Sequence, residues 1–381
     1  MATRKQQQRV QLDHEQLALV LQGGGALGAY QAGVFEEVAK LPRDIDWVAG
    51  VSIGAINAAL IVGNPAARRV QRLREFWTLV SSHVNPVAPW WDMQTALFHQ
   101  FSAAISASLG VAGFYTPRVP PPMLQPEGSD AALSFYDTAP LRQTLERLVD
   151  FELINSNKQT LRLSVGAVNV RSGNSIYFDN TEQRIGVEHI MASCALPPAF
   201  APVMIDEEPY WDGGIVSNTP LQYLLDKRGP RRTLVAQVDL FSARGALPTN
   251  LAGVMARHKD IMYSSRTRFN TDHAAQEQRH HKALHKLIAE LPASVRNRPE
   301  VKRLASDCDT SHVDIVHLIY RQSRFEQESK DYEFSRATML QHWQAGQHDM
   351  QRTVAHPDWL TKSNPDDGVT VYDLAHDPAA R

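Results

Sequence analysis

The chain has 381 residues, 43% hydrophobic and 21% charged, with a formal net charge of −2. That length holds one large domain or two with a full core, and the interspersed acids and bases give no reason to expect a nucleic-acid partner. The two cysteines, Cys194 and Cys308, are far apart and match no metal-ligand spacing, so inert thiols in a reducing compartment are expected.

The first residues are basic, but no apolar core of a signal peptide follows before Leu17, and Leu17–Leu21 is too short to be one. Residues 1–15 read as a mobile polar tail and the protein as cytoplasmic. Leu17–Leu21 ends in glycines and suits a buried parallel strand. Tyr30, Val34, Val38 and Leu41 then recur at helical spacing, with Pro42 beyond the end. Trp47–Val51 is a second strand, Ile53–Val62 a helix of small residues that Gly63-Asn64-Pro65 stops, and Ala66–Leu79 a third helical pattern. Strand, helix, strand, helix is the order of an α/β fold.

Residues 85–130 differ, being proline-bracketed and aromatic. Leu97, Phe101, Ile105 and Leu109 recur every four residues as one apolar stripe. A helix facing the core is the plain reading; the sharper one is a cap that forms an acyl pocket or touches a lipid surface through residues 90–115. No stretch, Met93–Pro117 included, has the apolarity of a membrane span. Leu161–Val170 and Ser175–Phe178 read as a β-hairpin, Val187–Ala195 as a helix, Thr233–Leu240 as another buried strand. Past Gly245, Pro248 and Asn250 the texture turns to charge-laced helix, with one strand candidate at Val313–Tyr320. A boundary near 245–252 is expected, giving a unit over 16–245, a mostly helical extension over 250–360 and a polar tail over 361–381.

Two motifs carry chemistry. Gly50-Val51-Ser52-Ile53-Gly54 is a G-x-S-x-G pentapeptide between a strand and a helix of small residues, the context in which a sharp turn leaves a serine Oγ exposed. Gly23-Gly24-Gly25-Ala26-Leu27-Gly28 follows the first strand. It also fits a dinucleotide fingerprint, but there an acidic residue should end the second strand. Asp44 and Asp46 instead precede that strand, and its end carries the serine motif. Read as an oxyanion loop, the glycine run lets backbone N–H groups converge, joined by the amide of Ile53.

A serine nucleophile needs a base. His258, His273, His280, His281 and His285 stand in charged helical sequence, and His317 in a strand-like run where a satisfied core histidine is the simpler reading. His281 and His285, at i and i+4, would share a helix face, but no third metal ligand is evident and a solvated basic face is expected. Asp212, in Tyr210-Trp211-Asp212-Gly213-Gly214, follows the strand candidate Pro202–Ile205. Shielded by Tyr210 and Trp211, its carboxylate would become a competent base. Asp-Gly-Gly equally fits a plain turn, and the residues alone leave both readings open.

In that order, the glycine run, the serine motif and Asp212–Gly214 resemble the patatin-like phospholipase family, with supporting text at Ala192–Phe200 and Asn218-Thr219-Pro220. Asn218 or Thr219 would also N-cap the helix that Pro220 begins. The resemblance covers roughly 16–240. It implies a three-layer α/β/α sandwich with a mainly parallel sheet, and a Ser–Asp dyad in place of a triad. On that basis Ser52 is the nucleophile within the elbow of Gly50, Val51, Ile53 and Gly54, Asp212 is the general base on a loop with Gly213 and Gly214, and Gly23, Gly24, Gly25, Ala26, Leu27 and Gly28 form the oxyanion loop. No metal or organic cofactor is implied. Ser329–Ser335, His342-Trp343 and Gly346 resemble an extension carried by a bacterial subgroup of the family.

The expected activity is therefore hydrolysis of carboxylic esters of lipids, of phospholipase A or esterase type. Hydrolysis of hydroxyalkanoate oligomers or polyester by the same dyad, acyl transfer to an alcohol, and a partner- or membrane-docking protein with a vestigial site are the alternatives.

Overall fold

The structure, a computed structural model, describes residues 14–82, 106, 108–156, 160–308, 311–321, 328–356 and 368–373. Leu97, Phe101 and Ile105 of the apolar stripe lie outside these residues, as do residues 1–13.

The near-continuous apolar runs become strands buried on both faces, as in parallel sheets covered by helices. They are β1 (Gln16–Leu21), β2 (Trp47–Val51) and, from a later run, β7 (Thr233–Asp239). The hairpin forms as expected from β3 (Arg162–Asn169) and β4 (Ser175–Asp179), and β5 (Val203–Ile205) pairs with β6 (Glu208–Asp212). With β8 (Val313–Ile319) and β9 (Val369–Tyr372) they make a nine-stranded sheet. Its path runs β9-β8-β7-β1-β2-β3-β6-β5, with β4 on the other edge of β3. Pairings from β9 through to β3 are all parallel; β4, β5 and β6 pair antiparallel.

Alternating residues divide the core in two. Leu17, Leu19 and Leu21 of β1 face the cluster built with α1 (Gly28–Val38), α2 (Ile53–Val62) and α3 (Arg69–Val80). Ala18 and Val20 face a smaller cluster that includes Leu221 and Leu224 of α6 (Leu221–Lys227). Helices thus cover both faces, the three-layer α/β/α sandwich with a mainly parallel sheet. Helices α4 (Ala139–Leu148) and α5 (Val187–Ser193) complete the unit around β3 and β6.

The last third adds α7 (Leu251–Glu290), α8 (Pro299–Asp307) and α9 (Arg336–Ala355), and it also extends the sheet. Val369–Tyr372, read from sequence as part of a polar tail, is the edge strand: Val-Thr-Val-Tyr is a short alternating run that β8 recruits by parallel pairing. His14, read as tail, is buried with Nε2 2.7 Å from Asp314 on β8.

Helix α1 shows how the extension fits. Its spacing predicts a single apolar stripe, yet ten of its residues, all except Glu36, are buried. The outer side is covered by α9. The two helices meet at glycines: a Cβ on Gly33 would lie 1.9 Å from the Trp343 carbonyl oxygen, and one on Gly346 2.0 Å from that of Tyr30. Tyr30 also donates its hydroxyl proton to Asp349, at 2.8 Å. No described helix is long and apolar enough to cross a membrane.

Candidate active site

Sheet register brings the serine and the aspartate together. On β3, Val165 and Gly166 pair with β2 on one edge and with β4 on the other, so β2 and β4 lie on opposite edges. Ala167 pairs with Ile176 of β4 and with Asp212 of β6. So β6 takes over the edge of β3 where β2 leaves it. Val51 pairs with Gly166 and Asp212 with the next residue, which makes Ser52 and Asp212 neighbours although 160 positions separate them.

Ser52 has φ 56 and ψ −128, a strained turn between β2 and α2 of the kind that exposes a serine Oγ. The flanking glycines are required by crowding: a Cβ on Gly50 would stand 2.3 Å from the Gly54 carbonyl oxygen, and one on Gly54 2.3 Å from that of Leu21. Val51 and Ile53 are buried on either side. The turn is clamped from α5. Ser193 Oγ accepts from the Ser52 amide at 2.9 Å and donates to the Gly166 carbonyl at 2.6 Å, while Cys194 Sγ donates to the Ser52 carbonyl at 3.2 Å. Burial raises the Cys194 thiol pKa well above its ordinary value, with Asp212 adding to the effect, so it stays a neutral thiol.

Asp212 ends β6 and is 2% exposed. Its Oδ1 accepts from the Gly214 amide at 2.7 Å, and the Ser52 hydroxyl lies close enough to lower its proton affinity. Burial raises its pKa to about 7 against the lowering by the Ser52 hydroxyl and the Gly214 amide. A carboxylate poised near neutrality beside a half-buried serine can take that serine's proton. Tyr210 and Trp211 lie in the strand, with the Tyr210 ring 5.3 Å from Phe178. Gly213 backs onto the Gly166 carbonyl.

The glycine run turns back over the elbow. Gly23 is held twice by Asn218: its amide donates to the Asn218 carbonyl at 3.1 Å, and its carbonyl accepts from Asn218 Nδ2 at 3.0 Å. Asn218 is therefore not the N-cap expected for α6. Gly25, Ala26 and Leu27 form one 3-10 turn that runs into α1 at Gly28. The amides of Gly24, Gly25 and Ile53 have no hydrogen-bond partner among the described residues. Helices α1 and α2 both begin here, adding their positive ends.

A buried polar network that no motif announces sits behind the loop. Gln22, fully buried, donates to Thr219 Oγ1 at 2.9 Å and to the Tyr263 carbonyl at 3.2 Å, and its Oε1 accepts from the amides of Leu240 and Phe241. Gln31 donates to the Gln22 carbonyl, Asn57 donates to Gln31 and to the Gly28 carbonyl, and Trp77 donates to Asn57. The available signal was three amide side chains in apolar company: Gln22 just past β1, Gln31 within α1 and Asn57 within α2.

No described histidine bonds to Ser52 or Asp212. His317 is paired with Asp239 and Gln237, the satisfied core histidine expected. Asp44 pairs with Arg69, and Asp46 accepts from Arg43 and the Leu17 amide, so both have structural partners. Among the described residues no group of three or more His, Cys, Asp and Glu side chains could hold a metal ion.

The profile of patatin-like phospholipases matches residues 19–225, more than half the chain, and a second profile, described as patatin phospholipase, matches residues 261–366. Patatin-like phospholipase domain-containing protein M110.7 of Caenorhabditis elegans is 39% identical over 62 residues, 16% of this chain and 6% of that protein's length. The crystal structure of VipD from Legionella pneumophila overlaps 88% of this chain and 67% of that one at TM-score 0.35 and 15% identity. That of the type III effector protein ExoU overlaps 88% and 79% at TM-score 0.21 and 15% identity. Both overlaps are loose. On the strength of the first profile, the chain belongs to the patatin-like phospholipase family, a family of lipid ester hydrolases.

Proposed function

We propose that the protein is a serine acyl-hydrolase that cleaves carboxylic esters of lipids through Ser52 and Asp212. One observation carries this reading: sheet register sets Ser52, on a strained turn, beside a buried Asp212 whose pKa burial raises to about 7. As Ser52 Oγ bonds to the ester carbonyl carbon, its proton passes to Asp212. The negative charge on the carbonyl oxygen faces the free amides of Gly24, Gly25 and Ile53. The C–O bond to the alcohol breaks, the alcohol leaves with the proton from Asp212, and an acyl-enzyme remains. Water then gives a proton to Asp212 and its oxygen to the acyl carbon. The fatty acid departs and Ser52 regains its proton.

Treatment of the purified chain with a fluorophosphonate probe, followed by peptide mass spectrometry, tests the assignment. Labelling is expected at Ser52, absent in Ser52→Ala and sharply slowed in Asp212→Asn. Ester hydrolysis should fall by about 10⁴–10⁶-fold in Ser52→Ala. Well-folded protein that is labelled elsewhere, or hydrolysis that survives Ser52→Ala, would remove the proposal.

A further inference from the structure

The extension reaches the glycine loop through a four-residue turn, Glu328–Asp331. Gly25 has φ +55, and a Cβ there would stand 2.1 Å from the Asp331 carbonyl oxygen. The turn thus lies directly on the residue of the loop that needs a left-handed conformation.

Two reciprocal ion pairs hold that turn down. Lys259-Asp260 on α7 face Lys330-Asp331 on the turn, and each lysine pairs with the other segment's aspartate. Lys259 Nζ is 2.8 Å from Asp331 Oδ1, and Lys330 Nζ is 2.6 Å from Asp260 Oδ1. The Lys330 side chain is almost fully buried and lies over the Phe241 ring, 5.4 Å from its centroid. Phe241 and Leu240 are themselves what a Cβ on Gly24 would strike. One turn of helix further along α7, the Tyr263 carbonyl accepts from Gln22. The Tyr263 pKa is raised by burial first and then by Asp331 and Asp212, which sets its hydroxyl within electrostatic reach of both.

We infer that Lys259, Asp260, Lys330 and Asp331 are positioning residues for the oxyanion loop: their crossed ion pairs seat the 328–331 turn on Gly25 and fix the direction of the Gly24 and Gly25 amides. Buried pairs of this kind contribute little net stability, but four charges in two matched pairs permit one seating of the turn. The extension is then part of the catalytic machinery, placed by contacts that never touch substrate. This rests on the reading of Ser52 as nucleophile. A displacement of about 1 Å in a group that stabilises the transition state costs on the order of 10²-fold in rate, so the effect belongs in kcat.

The test uses the full chain with Lys259→Met, Asp331→Asn and the double variant, alongside Lys259→Arg. The readouts are kcat and KM on a soluble p-nitrophenyl ester, the second-order rate of fluorophosphonate labelling at Ser52, and thermal melting. Expected is a fall of about 10–100-fold in kcat and in labelling rate with KM within about 3-fold. The double variant should be no worse than the poorer single one, because both remove the same pair. Lys259→Arg, which keeps the charge, should recover most of the rate. Should the apolar replacement not fold, Tyr332→Phe removes only the hydroxyl 3.0 Å from Lys259 Nζ and should lower kcat a few-fold. Folded variants labelled at the wild-type rate, or a loss confined to KM, would overturn the inference while leaving Ser52 in place. Wild-type protein unlabelled at Ser52 would overturn both.

Discussion

At the scale of single residues, the proposed chemistry turns on the proton affinity of Asp212. If the carboxylate must be ionised to accept from Ser52, kcat/KM should rise with pH and level off above about 7. The same shift bears on stability with the opposite sign. An aspartate whose pKa is raised on folding binds more protons in the native state than in the unfolded chain between its ordinary value and about 7. Stability therefore falls as pH rises through that window. At 1.36 kcal/mol per unit, a shift of roughly three units withdraws up to about 4 kcal/mol by pH 8. Asp212→Asn should accordingly melt higher than the parent at pH 8, with the difference gone near pH 4. A pH-independent difference in melting would contradict this. Ser193 belongs at the same scale: Ser193→Ala frees the buried Ser52 amide and Gly166 carbonyl, with an expected loss of about 1–3 kcal/mol for each group left unsatisfied.

At the scale of elements, the α1–α9 crossing is the most demanding junction. Gly33 and Gly346 each meet backbone of the opposite helix, and backbone cannot swing aside as a side chain does. Gly346→Val should cost at or above the upper end of the roughly 1–3 kcal/mol typical of overpacking, read as a lower urea midpoint at unchanged slope. Gly33→Val should cost similarly, and the two together less than their sum, because the first already parts the helices. Additive losses would mean that the helices do not share one contact.

Across the whole molecule, the last third completes the sheet as well as the site. Strand β7 is buried along its full length between β1 and β8, and α1 is covered by α9. A chain ending at Ala246 would expose the edge of β7, an invitation to pair with other copies, and would bare the outer side of α1. It should be insoluble or aggregate on purification. A soluble, cooperatively unfolding fragment would show that the extension is dispensable to the fold. Long-range ties such as His14 to Asp314, 300 positions apart, point the same way.

The sequence by itself determined what depends on neighbours along the chain. A short apolar run such as Leu17–Leu21 that ends in glycines suits a buried strand, small residues around Ser52 are what a strained turn tolerates, and consecutive glycines free backbone amides. Hence the order of elements, the tight turn at Ser52 and the glycine loop were legible from local sterics and spacing, and the family from the resemblance that the three motifs carry in their order. Only the tertiary structure decided what depends on partners. Asp212 meets Ser52 because β6 takes over the edge of β3 one residue beyond β2, a register that no spacing in the chain encodes. Asn218 turned from an expected cap into the clamp on Gly23, and Val369–Tyr372 from tail into edge strand, because a competing partner from elsewhere was available. Gln22, Ser193 and the crossed pairs of Lys259-Asp260 with Lys330-Asp331 are ordinary polar residues until folding buries them. Burial makes each hydrogen bond and charge obligatory, and it is set by the whole chain at once.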